Sequence, residues 1–470
     1  MSTDFAYMSA TEIRHLVSTR QASAVEVVTD ALERLAALEP TLNAFVTKTP
    51  ELALQAAHQA DKNVADGAEL GPLVAVPVSV KDLIDVADVR TTFGSRTMAT
   101  NVARVDAPAV SRVKNAGACI LGKTTTTEFG CKAGGGDSPL TGITRNPWNI
   151  SKSTGGSSAG AAASVAAGVT PVALGTDGGG SCRIPAALCG LVGIKAQYGR
   201  VPVFPASATP SLGHVGAIAR TVRDAAELLQ VLAGFDPRDP SSIAEPVPDF
   251  VGACSRGIAN LRIAWSPTLG YVPVSEEVRN LTSAAVQQLQ NGGCKVDTIE
   301  RVFQDPIELW NAEFYAGVAS KLKSALDDSR ELLDPAVAAL LGGALYGQSV
   351  EDYFRKVFQR FEFREQFRNF LEPYDLLITP TLPVADLPAG VNVPQELDDR
   401  NIVSWVYYTY PFNLTGNPAG SVPCGFTDDG MPVGLQIVAK TLREVDLFRV
   451  AGALEEALPW AHITPPVSVP

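Results

Sequence analysis

The stretch 152–185, KSTGGSSAGAAASVAAGVTPVALGTDGGGSCRIP, restricts the possible folds more than any other part of the chain. Glycine, serine and alanine dominate it, and only Lys152, Asp177 and Arg183 carry charge. Residues this small let backbone lie against backbone, or backbone against a ligand. It holds two Gly-Ser junctions, Gly156-Ser157 and Gly180-Ser181, and an apolar strand-forming run from Thr170 to Gly175 leads to the second. Glycines ahead of a serine can present several N–H groups at one point, the arrangement a developing oxyanion needs. The same letters also suit an alanine-rich core helix between loops. What the stretch does therefore depends on the rest of the chain.

The chain before it changes character at Gly71. Ser9-x-x-Glu12 and Ser23-x-x-Glu26 are capping boxes. They open helices that reach about residue 20 and a point just before Pro40. Thr49-Pro50 opens a third, to about Asp66. Residues 1–70 are thus expected to be a helical segment that packs on the main body or on a second copy in a homodimer. Residues 71–470 then form the main domain. Within it GPLVAVPVSVKDLIDV reads as a strand from Leu73 to Val80 with Lys81 at its end. Residues 261–299 read as strand, helix and strand, and 305–371 as mostly helical and rich in aromatics. Strands alternating with helices along the whole length indicate an α/β fold.

Gly117 to Thr124, GACILGKT, matches the phosphate-loop pattern G-x-x-x-x-G-K-[ST] letter for letter. That loop needs a strand before the first glycine and a helix after the lysine. Here a helix precedes Gly117 and strand-forming residues fill the loop, so no nucleotide is expected. Bulk composition removes other classes. The net charge of −12, without any Lys/Arg-rich block, argues against nucleic acid as a partner. The seven cysteines are scattered with no C-x-x-C pair, which indicates neither disulfides nor a zinc site and fits a cytoplasmic setting. No metal or cofactor is indicated. There is no secretory leader pattern and no run of 18 apolar residues, so no membrane span is expected.

The chemistry must be built from few parts. Four histidines, His15, His58, His214 and His462, are poor material for a Ser-His-Asp triad. Ser181, Ser157 and Lys81 are better placed. A lysine becomes a base when burial lowers its pKa from about 10.4 toward neutrality. Val78, Val80 and Leu83 give Lys81 apolar neighbours. Strand alternation puts Asp82 on another side.

GPLVAVPVSVKDLIDV, GGSSAGAAASVAAG and GTDGGGSCRIPAALCGLVGIK resemble the amidase signature family. The likeness continues through ACILGKT, TRNPWN, HVGAIARTVRDAA, YDLLITPTLP and NPAGSVPCGFTDDGMPVGLQIVAK, in order. It implies one domain built on a mixed, mostly parallel sheet covered by helices on both faces. It also implies a Ser-cisSer-Lys triad in which Ser181 is acylated, Ser157 is the cis-serine and Lys81 the base. The N–H groups of Gly178, Gly179, Gly180 and Ser181 would form the oxyanion hole. Ser158, Asp177 and Arg183 would brace the loop and the lysine, although Asp177 and Arg183 also read as an ordinary ion pair. Cys182, beside the nucleophile, reads as a packing residue.

The implied activity is hydrolysis of small or aryl amides by a stand-alone enzyme. Cys131, Gly134 and Gly135, in the glycine-rich loop 131–137, are the candidate substrate contacts, together with the individual region 305–410. The alternatives are the catalytic component of a tRNA-dependent amidotransferase and a non-catalytic scaffold on the same fold.

Overall fold

Eleven short runs pair into one sheet in the computed structural model, which describes residues 5–467. In chain order they are β1 Phe45–Lys48, β2 Pro77–Lys81, β3 Cys119–Thr124, β4 Val172–Asp177, β5 Val192–Lys195 and β6 His214–Ala219. The remaining five are β7 Arg262–Trp265, β8 Lys295–Thr298, β9 Leu376–Pro380, β10 Ala419–Phe426 and β11 Pro432–Ala439. Their order in space is β1-β3-β2-β4-β6-β5-β10-β11-β9-β7-β8. Helices pack against this mixed sheet in a single α/β domain.

The sheet is mixed, but parallel neighbours do not predominate. Six of its pairings are antiparallel and four parallel. The parallel pairs form two triplets, β3-β2-β4 and β9-β7-β8. Parallel neighbours need a long crossover, and helices supply it for consecutive strands: Pro108–Asn115 lies between β2 and β3, and Glu276–Asn291 between β7 and β8. Between the triplets β6 enters against both β4 and β5, and β10 and β11 form a hairpin, so the middle is antiparallel.

The N-terminal segment also departs from expectation. Both capping boxes form, opening helices Ala10–Ser18 and Ala24–Leu42. Pro40 does not stop the second helix, which runs on to Leu42. The stop comes from Asn43, in the left-handed conformation at φ 51°. Nor is the segment wholly helical, since β1 pairs with β3 and closes one edge of the sheet. Residues 5–70 therefore pack on the main body and contribute to its sheet.

The small-residue stretch becomes the helix Ala159–Ala166, every residue of which is buried. A Cβ at Gly160 would collide with the Ala44 carbonyl and with Thr125, so the helix can sit this close only with glycine there. The contact sets Ser157, just ahead of the helix, beside the C-terminal ends of β2 and β4. Ligands gather at that edge of an open α/β sheet.

Candidate active site

β2 is buried along its whole length, and its last residue, Lys81, is fully buried. The Lys81 Nζ lies 2.7 Å from Ser157 Oγ and 2.8 Å from Thr176 Oγ1. The hydrogen-bond partners of Lys81 are two hydroxyls, with no carboxylate among them. Burial pushes its ammonium down to about 7, with Cys182 and Asp177 acting the other way. Asp82 turns elsewhere: its carboxylate accepts from Lys123 Nζ at 3.0 Å and from the Thr92 backbone N–H at 2.9 Å. The Gly156-Ser157 peptide is cis. Ser158 N–H donates to the Ser181 carbonyl at 3.3 Å, tying the two serine-bearing segments together. Ser158 does not reach Lys81. Its hydroxyl donates to the Thr176 carbonyl at 3.2 Å, behind the Thr176 hydroxyl that does.

The loop from Asp177 to Ser181 is oriented through its carbonyls. The Asp177 carbonyl accepts from Asn413 Nδ2 at 2.9 Å, that of Gly178 from Trp310 Nε1 at 2.8 Å, and that of Gly179 from Thr409 Oγ1 at 2.6 Å. The Gly180 carbonyl accepts from the Ile184 N–H at 2.7 Å. In a trans peptide the next N–H points opposite to the carbonyl. The N–H groups of Gly178, Gly179 and Ser181 thus face away from these anchors and have no intramolecular acceptor among the described residues. Gly180 departs from the expected set of four donors. Its N–H is engaged at 2.8 Å by Asp177 Oδ1, because the carboxylate folds back under its own loop.

Arg183 holds that carboxylate in a fully buried two-point pair, Nε to Oδ2 at 3.0 Å and Nη2 to Oδ1 at 2.8 Å. Burial alone would raise the Asp177 pKa, but the Arg183 guanidinium overrides it and holds the carboxyl well below the usual range. The remaining Arg183 donors reach the Thr409 carbonyl, Asn413 and Gln436. A guanidinium so fully satisfied can stay buried and rigid. Cys182 is a buried free thiol whose pKa burial pushes up, and it packs beneath the sheet near Gly175 and Gly216.

Ser157, Thr176, Gly178 and Ser181 open on one cavity of about 350 Å³. Its walls are mainly apolar, with Leu83, Ile84, Phe93, Met98, Phe129 and Phe314 prominent. Gly130, at φ 74°, forms part of the rim. A Cβ there would come within 3.2 Å of Ser157 Oγ. On its other side Ser181 borders a second cleft of about 10 Å³, lined by Gly179, Ile184, Trp310 and Tyr410 among others. That is room for roughly one water. Cys131, Gly134 and Gly135 line neither space. Cys131 is buried in the aromatic core, and Gly134 and Gly135 pack against Asn392 and Asp137. Of 305–410, Phe314, Val318, Lys321 and Leu322 reach the larger cavity. The sequence reading missed the segment 202–209, which forms another wall. It is an irregular run with no motif to mark it. It also missed Thr176, Trp310, Thr409 and Asn413. Among the described residues no group of His, Cys, Asp and Glu could hold a metal, and no helix is long and apolar enough to cross a membrane.

A family model described as Amidase matches residues 26–448. An acylamidase of Rhodococcus erythropolis is 37% identical over 471 residues, covering 98% of this chain and 97% of the relative. The A-type component of the glutamyl-tRNA(Gln) amidotransferase of Cyanothece sp. is 33% identical over 479 residues, covering 96% and 98%. The solved structure of a bacterial aryl acylamidase of the amidase signature family superposes with a TM-score of 0.92 at 29% identity, covering 98% of both chains. With a buried lysine joined to Ser157 and a glycine loop ending in Ser181, this chain belongs to the amidase signature family of amide hydrolases.

Proposed function

We propose that this enzyme hydrolyses a linear amide to acid and amine through an acyl-enzyme on Ser181, with Ser157 and Lys81 as its proton path. The observation that carries this reading is the Lys81–Ser157 contact at 2.7 Å, with no carboxylate bonded to the lysine. Neutral Lys81 accepts the Ser157 proton as Ser157 takes the proton of Ser181. The Ser181 Oγ then attacks the carbonyl carbon. The negative oxygen is received by the N–H groups of Gly178, Gly179 and Ser181, each worth roughly 3–4 kcal/mol in the transition state. Protonated Lys81 returns its proton through Ser157 to the amide nitrogen, and the C–N bond breaks. Water repeats the path on the ester, releasing the acid and restoring neutral Lys81. Asp177, Arg183 and Ser158 act as positioning residues: the first two brace the glycine loop and the third steadies Thr176 against Lys81.

The substrate reading is a small or aryl amide. Ser157, the proton donor to the leaving group, borders the large cavity and not the small cleft. The amine half therefore belongs in the large apolar space and a short acyl group in the cleft. Residues 202–209 and the part of 305–410 around Phe314 and Leu322 would set the preference. Apolar walls favour this over the glutamine-using reading suggested by the amidotransferase relative, since a polar side-chain amide would gain little from Leu83, Ile84 and Phe93. The net charge of −12 supports a small-molecule partner over nucleic acid, and seven free cysteines support a cytoplasmic setting. A panel of amides, esters and ureas, assayed for released amine or alcohol, tests the proposal. N-acetyl arylamines are expected to lead. Turnover of glutamine with no activity on aryl amides would overturn the substrate reading.

A further inference from the structure

Among the described residues that line the large cavity, Asp85 is the one carboxylate. It stands just beyond the end of β2, on the turn that follows Lys81. The backbone of that turn is fixed: the Ile84 N–H donates to the Lys81 carbonyl at 3.0 Å, and the Asp85 carbonyl accepts from the Ala107 N–H at 3.0 Å. Its side chain is not engaged. No hydrogen bond or ion pair reaches the Asp85 carboxylate among the described residues, and its oxygens are not sealed from open space. Burial pushes its carboxyl up from the usual value. The nearby charges have other partners. Lys123 meets Asp82 at 3.0 Å, and Lys321, on another wall of the cavity, donates to the Ala206 carbonyl at 2.7 Å. Among the described residues no group of His, Cys, Asp and Glu gathers here to hold a metal.

We propose that Asp85 determines specificity for the amine half of the substrate, and that the preferred amide is one whose leaving arylamine carries a second, protonated amino group that donates to this carboxylate. The proposal rests on the reading above that the amine half occupies the large cavity. Water can satisfy Asp85 while the cavity is open. A purely apolar ring that fills the cavity displaces that water and leaves a charge buried without a partner, which is unfavourable. An ammonium on the ring replaces the lost water with a charge-assisted hydrogen bond. The apolar walls then take the ring, and one polar group fixes its orientation, the usual division of labour in a small-molecule pocket. An amine half bearing a carboxylate fits less well, since it would face Asp85 and would find Lys321 already donating to Ala206.

Paired substrates of matched size test this. The meta and para isomers of (aminomethyl)acetanilide are compared with those of ethylacetanilide, which has the same shape without the charge. In the wild-type enzyme at least one aminomethyl isomer should exceed its ethyl counterpart in kcat/KM by about 10-fold or more. Asp85→Asn should bring that ratio close to one, mainly by raising KM for the ammonium substrate. Circular dichroism checks that the variant is folded, and the ratio cancels any loss common to both substrates. Equal kcat/KM for the two in the wild type would overturn the proposal, as would a preference that survives Asp85→Asn. If no acetanilide is turned over, calorimetry with the amine halves alone, (aminomethyl)aniline against ethylaniline, separates the two readings. Tighter binding of the ammonium that is lost in Asp85→Asn would uphold this subsite while sinking the aryl-amide reading. Equal binding of the two amines would overturn the subsite itself.

Discussion

Lys81 and Lys123 stand one strand apart in the same parallel pair, both fully buried, and differ in what faces them. Lys123 meets the Asp82 carboxylate at 3.0 Å and the Thr91 hydroxyl at 2.7 Å, both within a buried polar cluster. Lys81 meets the hydroxyls of Ser157 and Thr176. For both, burial disfavours the ammonium. At Lys123, where burial still lowers the pKa, the Asp82 carboxylate opposes that through both charge and a direct hydrogen bond, while Asp177, the carboxylate that opposes it at Lys81, makes no hydrogen bond to the lysine. A buried lysine with a carboxylate is a structural cation, and one with only hydroxyls can release its proton. Asp82 follows Lys81 in the chain yet serves Lys123, so a single side-chain direction separates the two roles.

The largest expected effect bears on the acceptor of this chemistry. Ser181→Ala should lower turnover roughly a million-fold with the fold intact. An acyl adduct seen by intact mass in that variant would break the assignment. Next, Lys81→Ala should cost on the order of 10⁴-fold in kcat, far more than His214→Ala. Lys123→Ala should instead act on folding, destabilising by about 3–5 kcal/mol because Asp82 is left buried and unpaired. A urea melt measures this, and turnover per folded molecule should stay near wild type. If Lys123→Ala silenced a well-folded enzyme, or removed ATP binding, the contrast would fail.

The pH profile sharpens the same contrast. The proposed mechanism needs Lys81 neutral, so kcat/KM should be low below its pKa, rise through about 7 and level off above. Lys81→Ala should lose that limb from any residual activity. A flat profile with chemistry rate-limiting would count against the lysine as base. The smallest effect concerns Thr176, whose hydroxyl accepts from the charged lysine. Thr176→Val removes that stabilisation of the ammonium. It should move the limb to lower pH by about one unit, with Ser181 still acylated. A shift to higher pH would mean the hydroxyl favours the neutral amine.

Much of the site was legible because its parts are local. Gly156-Ser157 and Asp177 to Ser181 are contiguous letters whose backbone demands show in composition, and Lys81 ends a short apolar run. The capping boxes at Ser9 and Ser23 were legible for the same reason. The substrate space was not. Cys131, Gly134 and Gly135 looked free because glycines mark loops, but that loop packs against Asn392 and Asp137. The cavity wall comes instead from the unmarked segment 202–209. Gly180 looked like one more oxyanion donor because a run of glycines does not disclose which N–H its own aspartate takes.

The α/β class, the family, the short-range caps and turns, and the candidacy of the two serines and the lysine were all open to reading from the letters alone. Those depend on residue type within a few positions. The tertiary structure decided which side each group faces. Thr176 meets Lys81 across 95 positions, Trp310 anchors Gly178 across 132 and Thr409 anchors Gly179 across 230. The antiparallel middle of the sheet was decided at the same level. These contacts follow from strand order and from burial, which sets the proton affinity of Lys81, and neither can be read from a lysine's neighbours in the chain.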